Sequence, residues 1–150
     1  MPGGGVDVDE SLAECAAREL REETGVCVSS DSMTPLCAWE SFFPTSPEAC
    51  VIDGRVSAQY LVVYFVCRAN AAATTSVSLQ ADETDAYVWL APAAVVSASS
   101  AGATVSATRA TGELEAVPLD VICSVYTSER PSGCAEGHWF ALTQLVARRA

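Results

Sequence analysis

Arg18-Glu-Leu-Arg-Glu-Glu-Thr-Gly-Val26 is the stretch on which the reading of this chain turns. Glu19, Glu22 and Glu23 stand at i, i+3 and i+4, so on a helix their side chains fall within about 100° of one face. Like charges at that spacing repel one another and weaken a helix. A hard divalent cation removes the conflict, because magnesium prefers oxygen ligands, keeps several waters and joins protein carboxylates to substrate phosphates. A cation held there would neutralise phosphoryl oxygens and lower the pKa of a bound water, which opens hydrolysis at phosphorus. Arg18 and Arg21 alternate with the acids and can hold carboxylates in place or meet a phosphate. Taken alone, the run is also the pattern of a solvated helix face laced with Glu–Arg pairs. The surrounding residues separate the two readings.

Upstream, Ser11 is an N-cap candidate with Glu14 three residues on, the spacing of a capping box. Leu12 to Glu23 is rich in strong helix formers, and Gly25 stands where a left-handed C-cap belongs. A helix is therefore predicted between them. Further out, Glu10 precedes Arg18 by eight positions and Gly4 precedes Glu10 by six, the latter inside a Gly-rich turn followed by a short alternating stretch around Val6 and Val8.

Gly4, Glu10, Arg18-Glu19-Leu20, Glu22-Glu23 and Gly25-Val26 fill every fixed position of the signature G-x5-E-x7-R-E-U-x-E-E-x-G-U, where U is a bulky aliphatic residue. By these residues the chain resembles the Nudix hydrolase family. The resemblance implies that Glu19, Glu22 and Glu23 ligate Mg2+ or Mn2+, with Glu22 or Glu23 also orienting or deprotonating the attacking water. It makes Arg18 the arginine that positions the glutamate beside it and Glu10 the outlying acid that braces the motif. It implies an α+β fold, an α/β/α sandwich around a mixed sheet, and hydrolysis of a nucleoside diphosphate linked to another moiety. The family ordinarily carries strands before its Gly-rich loop, so one domain over residues 1–150 lacking the usual first strands is expected, with aggregation at an unpaired sheet edge as a consequence.

Glu83, six residues before Trp89-Leu90-Ala91-Pro92, is similar to a common Nudix pattern and is a candidate further carboxylate; a solvated turn residue is the alternative. Trp39-Glu40-Ser41-Phe42-Phe43-Pro44, the apolar stretch after Gln59 and the final Phe140-Ala-Leu are similar to the subgroup named after Nudix motif seventeen. Members of that subgroup are associated with hydrolysis of the methylguanosine cap of RNA. A nucleotide or a capped RNA end is the partner this implies. No residue is assigned to substrate binding; Trp39, Phe42 and Phe43 could stack a purine, though core packing is the simpler role.

Leu36 to Phe43 is apolar and aromatic and predicts a strand, broken by Pro44 and Pro47. Tyr60 to Cys67 is β-branched and aromatic without alternation, which predicts a central strand covered on both faces. A polar linker follows from Asn70 to Gln80, then a short strand at Tyr87–Leu90 and a helix opened by Pro92 and running to Val96. Residues 97–111 are small and of low complexity and predict a flexible loop. Glu136 to Arg149 places Trp139, Phe140, Leu142, Leu145 and Val146 at mostly helical spacing, a closing amphipathic helix.

With 150 residues, 50% of them hydrophobic and 18% charged, the chain can bury a core and is not disordered in bulk. Its net charge of −11, with no Lys and scattered Arg, offers no basic stripe for general nucleic-acid binding. Seven Cys without a C-x-x-C pair, and one His, argue against a zinc site and for buried thiols in a reducing compartment. No basic n-region or apolar stretch long enough for a bilayer is visible, so an intracellular, cytoplasmic protein without membrane association is expected, and a homodimer is left open. Asp7 to Arg18 fails as a calcium loop, because Leu12 replaces the needed Gly and Arg18 the final Glu. His138 beside Trp139 reads as a packing or surface residue, and no Cys–His pair suggests a thiol nucleophile. A binding or regulatory domain that keeps the helix without catalysis is the competing class of function.

Overall fold

The computed structural model describes residues 1–43, 58–72, 76–80, 82, 84–96, 103–122 and 136–148. It is a mixed α/β arrangement of helices and antiparallel sheets. Helix α1 spans Leu12–Thr24, followed by a 3-10 turn at Ser30–Ser32 and strands β1 (Thr34–Phe43) and β2 (Ala58–Val66). After these come β3 (Ala86–Val88), α2 (Pro92–Val96), β4 (Thr104–Arg109), β5 (Leu114–Pro118), α3 (Leu119–Ile122) and α4 (Glu136–Ala147). The described ladders are β1–β2 in one sheet and β3–β4–β5 in another, all antiparallel.

Both ends of α1 behave as local chemistry dictates. Ser11 and Glu14 form a reciprocal capping box, and Gly25 closes the helix at φ 70° with its N–H on the Arg21 carbonyl at 2.8 Å. The β1–β2 register shifts between Pro35 and Cys37, where a proline without an N–H interrupts the ladder. Arg148, just past α4, donates to the Pro35 carbonyl at 3.4 Å and the Leu36 carbonyl at 2.7 Å at that bulge. Helix α4 packs on β1 and β2, and α2 packs on α4. Leu119 is buried among Leu90, Ala94, Val105, Ile122 and Trp139, which joins the second sheet to the helices around it.

Two expectations require correction. The segment 97–111 is not a loop throughout: residues 104–109 are β4, and residues 97–102 lie outside the described residues. Thr104, Val105 and Thr108 are β-branched, and Val105 and Ala107 turn inward on either side of the exposed Ser106, an alternation that small side chains make hard to see by hydropathy. Strand β2 is also not covered along its whole length, since Tyr60 and Leu61 near its start are 56% and 71% exposed while residues 62–66 are partly buried. Among the described residues β2 pairs along one edge only, with β1. An unalternating apolar run does not distinguish a buried central strand from one whose end reaches solvent.

No helix among the described residues is long and apolar enough to cross a membrane.

Candidate active site

The turn before α1 and the caps of α1 aim the acidic side chains. Asp9 takes φ 64°, a left-handed conformation that Asp tolerates better than most residues. The turn brings the Glu10 N–H to the Asp7 carbonyl at 3.3 Å, while Glu10 Oε2 accepts from the Asp7 N–H at 3.1 Å. Glu10 is thereby turned toward the middle of α1.

There the Arg18 guanidinium acts as a hub. Nε donates to Glu10 Oε1 at 2.9 Å and Nη2 to Glu10 Oε2 at 3.0 Å, a two-pronged pair that fixes the plane of the guanidinium. Nη1 donates to Glu19 Oε1 at 2.8 Å and to Glu22 Oε2 at 3.1 Å. Nη2 also reaches the Gly5 carbonyl at 3.0 Å. The hydrogen-bonded Arg18 holds the Glu10 carboxyl down at about 2, against burial, which pushes the other way, and the Asp7 N–H adds to the lowering. The same three glutamates push the Arg18 pKa further up, Glu10 most strongly. Cys15 lies buried beneath the hub, 3.4 Å from the Gly5 carbonyl, and burial raises its thiol, which makes it inert packing rather than a nucleophile.

Glu19 is pressed against the Gly-rich turn. A Cβ on Gly4 would stand 2.3 Å from Glu19 Oε1 and 2.7 Å from its carboxyl carbon, so only glycine leaves that carboxylate on Arg18. Glu23 is held differently: Oε1 accepts from the Gly3 N–H at 2.9 Å and Oε2 from Thr84 Oγ1 at 3.3 Å. The segment carrying Thr84 is itself docked on the end of α1, with Ser78 N–H on the Thr24 carbonyl at 2.8 Å and Gln80 N–H on the Glu23 carbonyl at 3.1 Å.

The structure thus gathers Glu10, Glu19 and Glu22 on Arg18 and holds Glu23 by other partners, Gly3 and Thr84. Among the described residues no three His, Cys, Asp or Glu side chains converge as a cage for a metal ion. A pair is nevertheless the donor set magnesium uses, since it commonly takes one or two carboxylates and completes its shell with water and phosphate. Glu19 and Glu22 share one nitrogen of Arg18, and each keeps an oxygen off that nitrogen, so their chemistry fits the cation. Glu83 lies outside the described residues. Gly3 and Thr84 were not legible as partners of Glu23; nothing in the spacing of residue 84 connects it to a helix 61 residues earlier.

His138 is half-buried, meets the Tyr64 ring edge-on at 5.8 Å, and burial lowers its pKa, as a packing residue should behave. Trp39 packs on Phe140 of α4 with ring centroids 5.2 Å apart, so it serves the core; the side chains of Phe42 and Phe43 lie outside the described residues.

The family model described as NUDIX domain matches residues 1–109. The chain is also similar to proteins named m7GpppN-mRNA hydrolase NUDT17. The Danio rerio protein is 33% identical over 141 residues, which is 88% of this chain and 43% of that protein. The Xenopus laevis protein is 38% identical over 69 residues, 46% of this chain and 22% of that protein. The Bos taurus protein is 32% identical over 108 residues, 67% of this chain and 34% of that protein. The chain spans less than half the length of these relatives.

Proposed function

From the chain's membership of the Nudix hydrolase family, we propose that it is a divalent-cation-dependent pyrophosphohydrolase of nucleoside diphosphates linked to another moiety, with a methylguanosine-capped RNA end or dinucleotide as the foremost substrate. The observation that carries the reading is the Arg18 hub, which collects Glu10, Glu19 and Glu22 on one guanidinium inside the motif turn.

Glu19 and Glu22 are the residues to hold the cation. Bound there, Mg2+ or Mn2+ would offset phosphate charge and make water a better nucleophile. Arg18 keeps the two acids aimed at the same point, and Glu10 keeps Arg18 from swinging away. Each oxygen of Glu23 accepts one hydrogen bond and retains a lone pair, so an anchored Glu23 is suited to take the proton of an attacking water.

The test is product chromatography after incubation with capped dinucleotide, then dinucleoside polyphosphates, ADP-ribose and coenzyme A, each with magnesium and with a chelator. Cleavage of a pyrophosphate linkage in the magnesium arm alone is the expected result. A second reading, a binding domain without turnover, is favoured by Glu23 being held by Gly3 and Thr84 while Glu19 and Glu22 are held by Arg18. Saturable binding of magnesium and nucleotide with every substrate left intact would establish that reading instead.

A further inference from the structure

Glu23 stands in the last turn of α1, where the open carbonyls of a helix end disfavour a negative charge. Left to itself, its flexible side chain would turn outward into water. Arg18 does not restrain it, since the carboxylates that Arg18 hydrogen-bonds are those of Glu10, Glu19 and Glu22. Glu23 takes instead one main-chain donor, the Gly3 N–H at 2.9 Å, and one hydroxyl, Thr84 Oγ1 at 3.3 Å. Thr84 is the side chain of that pair, and it is half-buried.

The segment that delivers Thr84 is built onto the end of the helix. Ser78 N–H donates to the Thr24 carbonyl at 2.8 Å and Gln80 N–H to the Glu23 carbonyl at 3.1 Å, so two carbonyls that α1 leaves open are closed from outside it. Thr84 N–H donates in turn to the Gln80 carbonyl at 2.8 Å, which ties the backbone of the hydroxyl to the residue that caps Glu23. Glu23 is therefore gripped twice by one stretch of chain, at its carbonyl and at its carboxylate.

We propose that Thr84 is a positioning residue for Glu23: its hydroxyl, docked on the helix end through Ser78 and Gln80, sets the direction of that carboxylate from outside the motif. With one oxygen committed to Gly3 and the other to Thr84, the carboxylate loses the freedom to rotate away. A base held in this way is in place before its water arrives. That Glu23 takes a proton rests on the pyrophosphohydrolase reading; the grip of Thr84 on its side chain does not.

The first measurement needs no turnover. Denaturant unfolding in a chelator compares the wild-type chain, Thr84→Val, Glu23→Ala and the double variant. The double variant should lose clearly less in midpoint than the two single losses added, because the second substitution has no bond left to break. Additive losses would overturn the contact. The second measurement is steady-state hydrolysis of methylguanosine-capped dinucleotide with magnesium, with rates taken per folded molecule. Thr84→Val should lower turnover about tenfold, the low end for losing an outer partner of a site carboxylate, with KM little changed. Thr84→Ser, which keeps the hydroxyl, should recover most of the rate. Wild-type turnover in Thr84→Val, or equal losses in the Ser and Val variants, would overturn the positioning role and leave the hydrolase reading standing. Coupled midpoints in a chain that hydrolyses nothing would sink the hydrolase reading and leave Thr84 holding Glu23.

Discussion

Arg18 donates to three carboxylates and a carbonyl at once, so its neighbours divide into those that hold it and those it holds. Glu10 belongs to the first group, and its low pKa makes the bond measurable. A carboxyl depressed from 4.5 to about 2 on folding adds stability above its unfolded pKa, and that stability disappears as pH falls through the folded value. The wild-type chain should therefore be more stable than Glu10→Gln at pH 6, with the difference shrinking between about pH 4.5 and 2; denaturant midpoints across that range check it. A gap that widens on acidification would contradict the assignment. Glu19 belongs to the second group. In Gly4→Ala the new Cβ meets only the end of a flexible side chain, so the fold should survive while the Glu19 carboxylate is displaced from Arg18. We expect a nearly unchanged melting temperature together with at least about tenfold weaker magnesium dependence, since a displaced ligand costs binding rather than folding. A variant with wild-type metal affinity would show that Glu19 is not a ligand.

At the scale of elements, α1 was readable because everything that defines it is local. The capping box, the Gly25 cap and the i, i+3, i+4 acids are set by helix geometry within residues 11–25. The docking of α4 was less so. Glu136–Ala147 is a helix, as its aromatic and aliphatic spacing predicts, but its contact point is a glycine. A Cβ on Gly137 would lie 2.8 Å from Trp39 Cδ1 and 2.8 Å from Tyr64 Oη. No property of Gly137 in the sequence announces that two aromatic side chains from β1 and β2 converge on it. Gly137→Ala should destabilise the chain by about 1–3 kcal/mol through overpacking, read from chemical denaturation. An effect near zero would mean that α4 docks elsewhere. The linker from Asn70 to Gln80 was underread for a related reason. Its polar residues are spent on backbone bonds to Glu23 and Thr24, which no composition argument reveals.

For the whole molecule, the contrast is between chemistry carried by contiguous residues and surroundings built from distant ones. The acids and their arginine are within residues 10–23, so the gathering of Glu10, Glu19 and Glu22 around Arg18 needed no knowledge of the fold, whereas the assignment of Glu19, Glu22 and Glu23 as metal ligands stays an expectation of the motif. The anchoring of Glu23 by Thr84, the strand at 104–109 and the exposed end of β2 depend on how sheets assemble, which alternation in small or uniformly apolar residues does not encode. The net charge of −11 ties these scales together, since a protein so acidic has no general attraction for polyphosphate, and on the proposed reading a cation would stand between the glutamates and the substrate. The most direct measurement is the initial rate of capped-dinucleotide hydrolysis against magnesium concentration, for the wild-type chain and Glu22→Gln. The account predicts no rate above background in chelator, a saturable rise with magnesium, and a turnover number at least about 100-fold lower in the variant with KM little changed. A wild-type rate undiminished by chelator, or a Glu22→Gln rate equal to wild type, would contradict it.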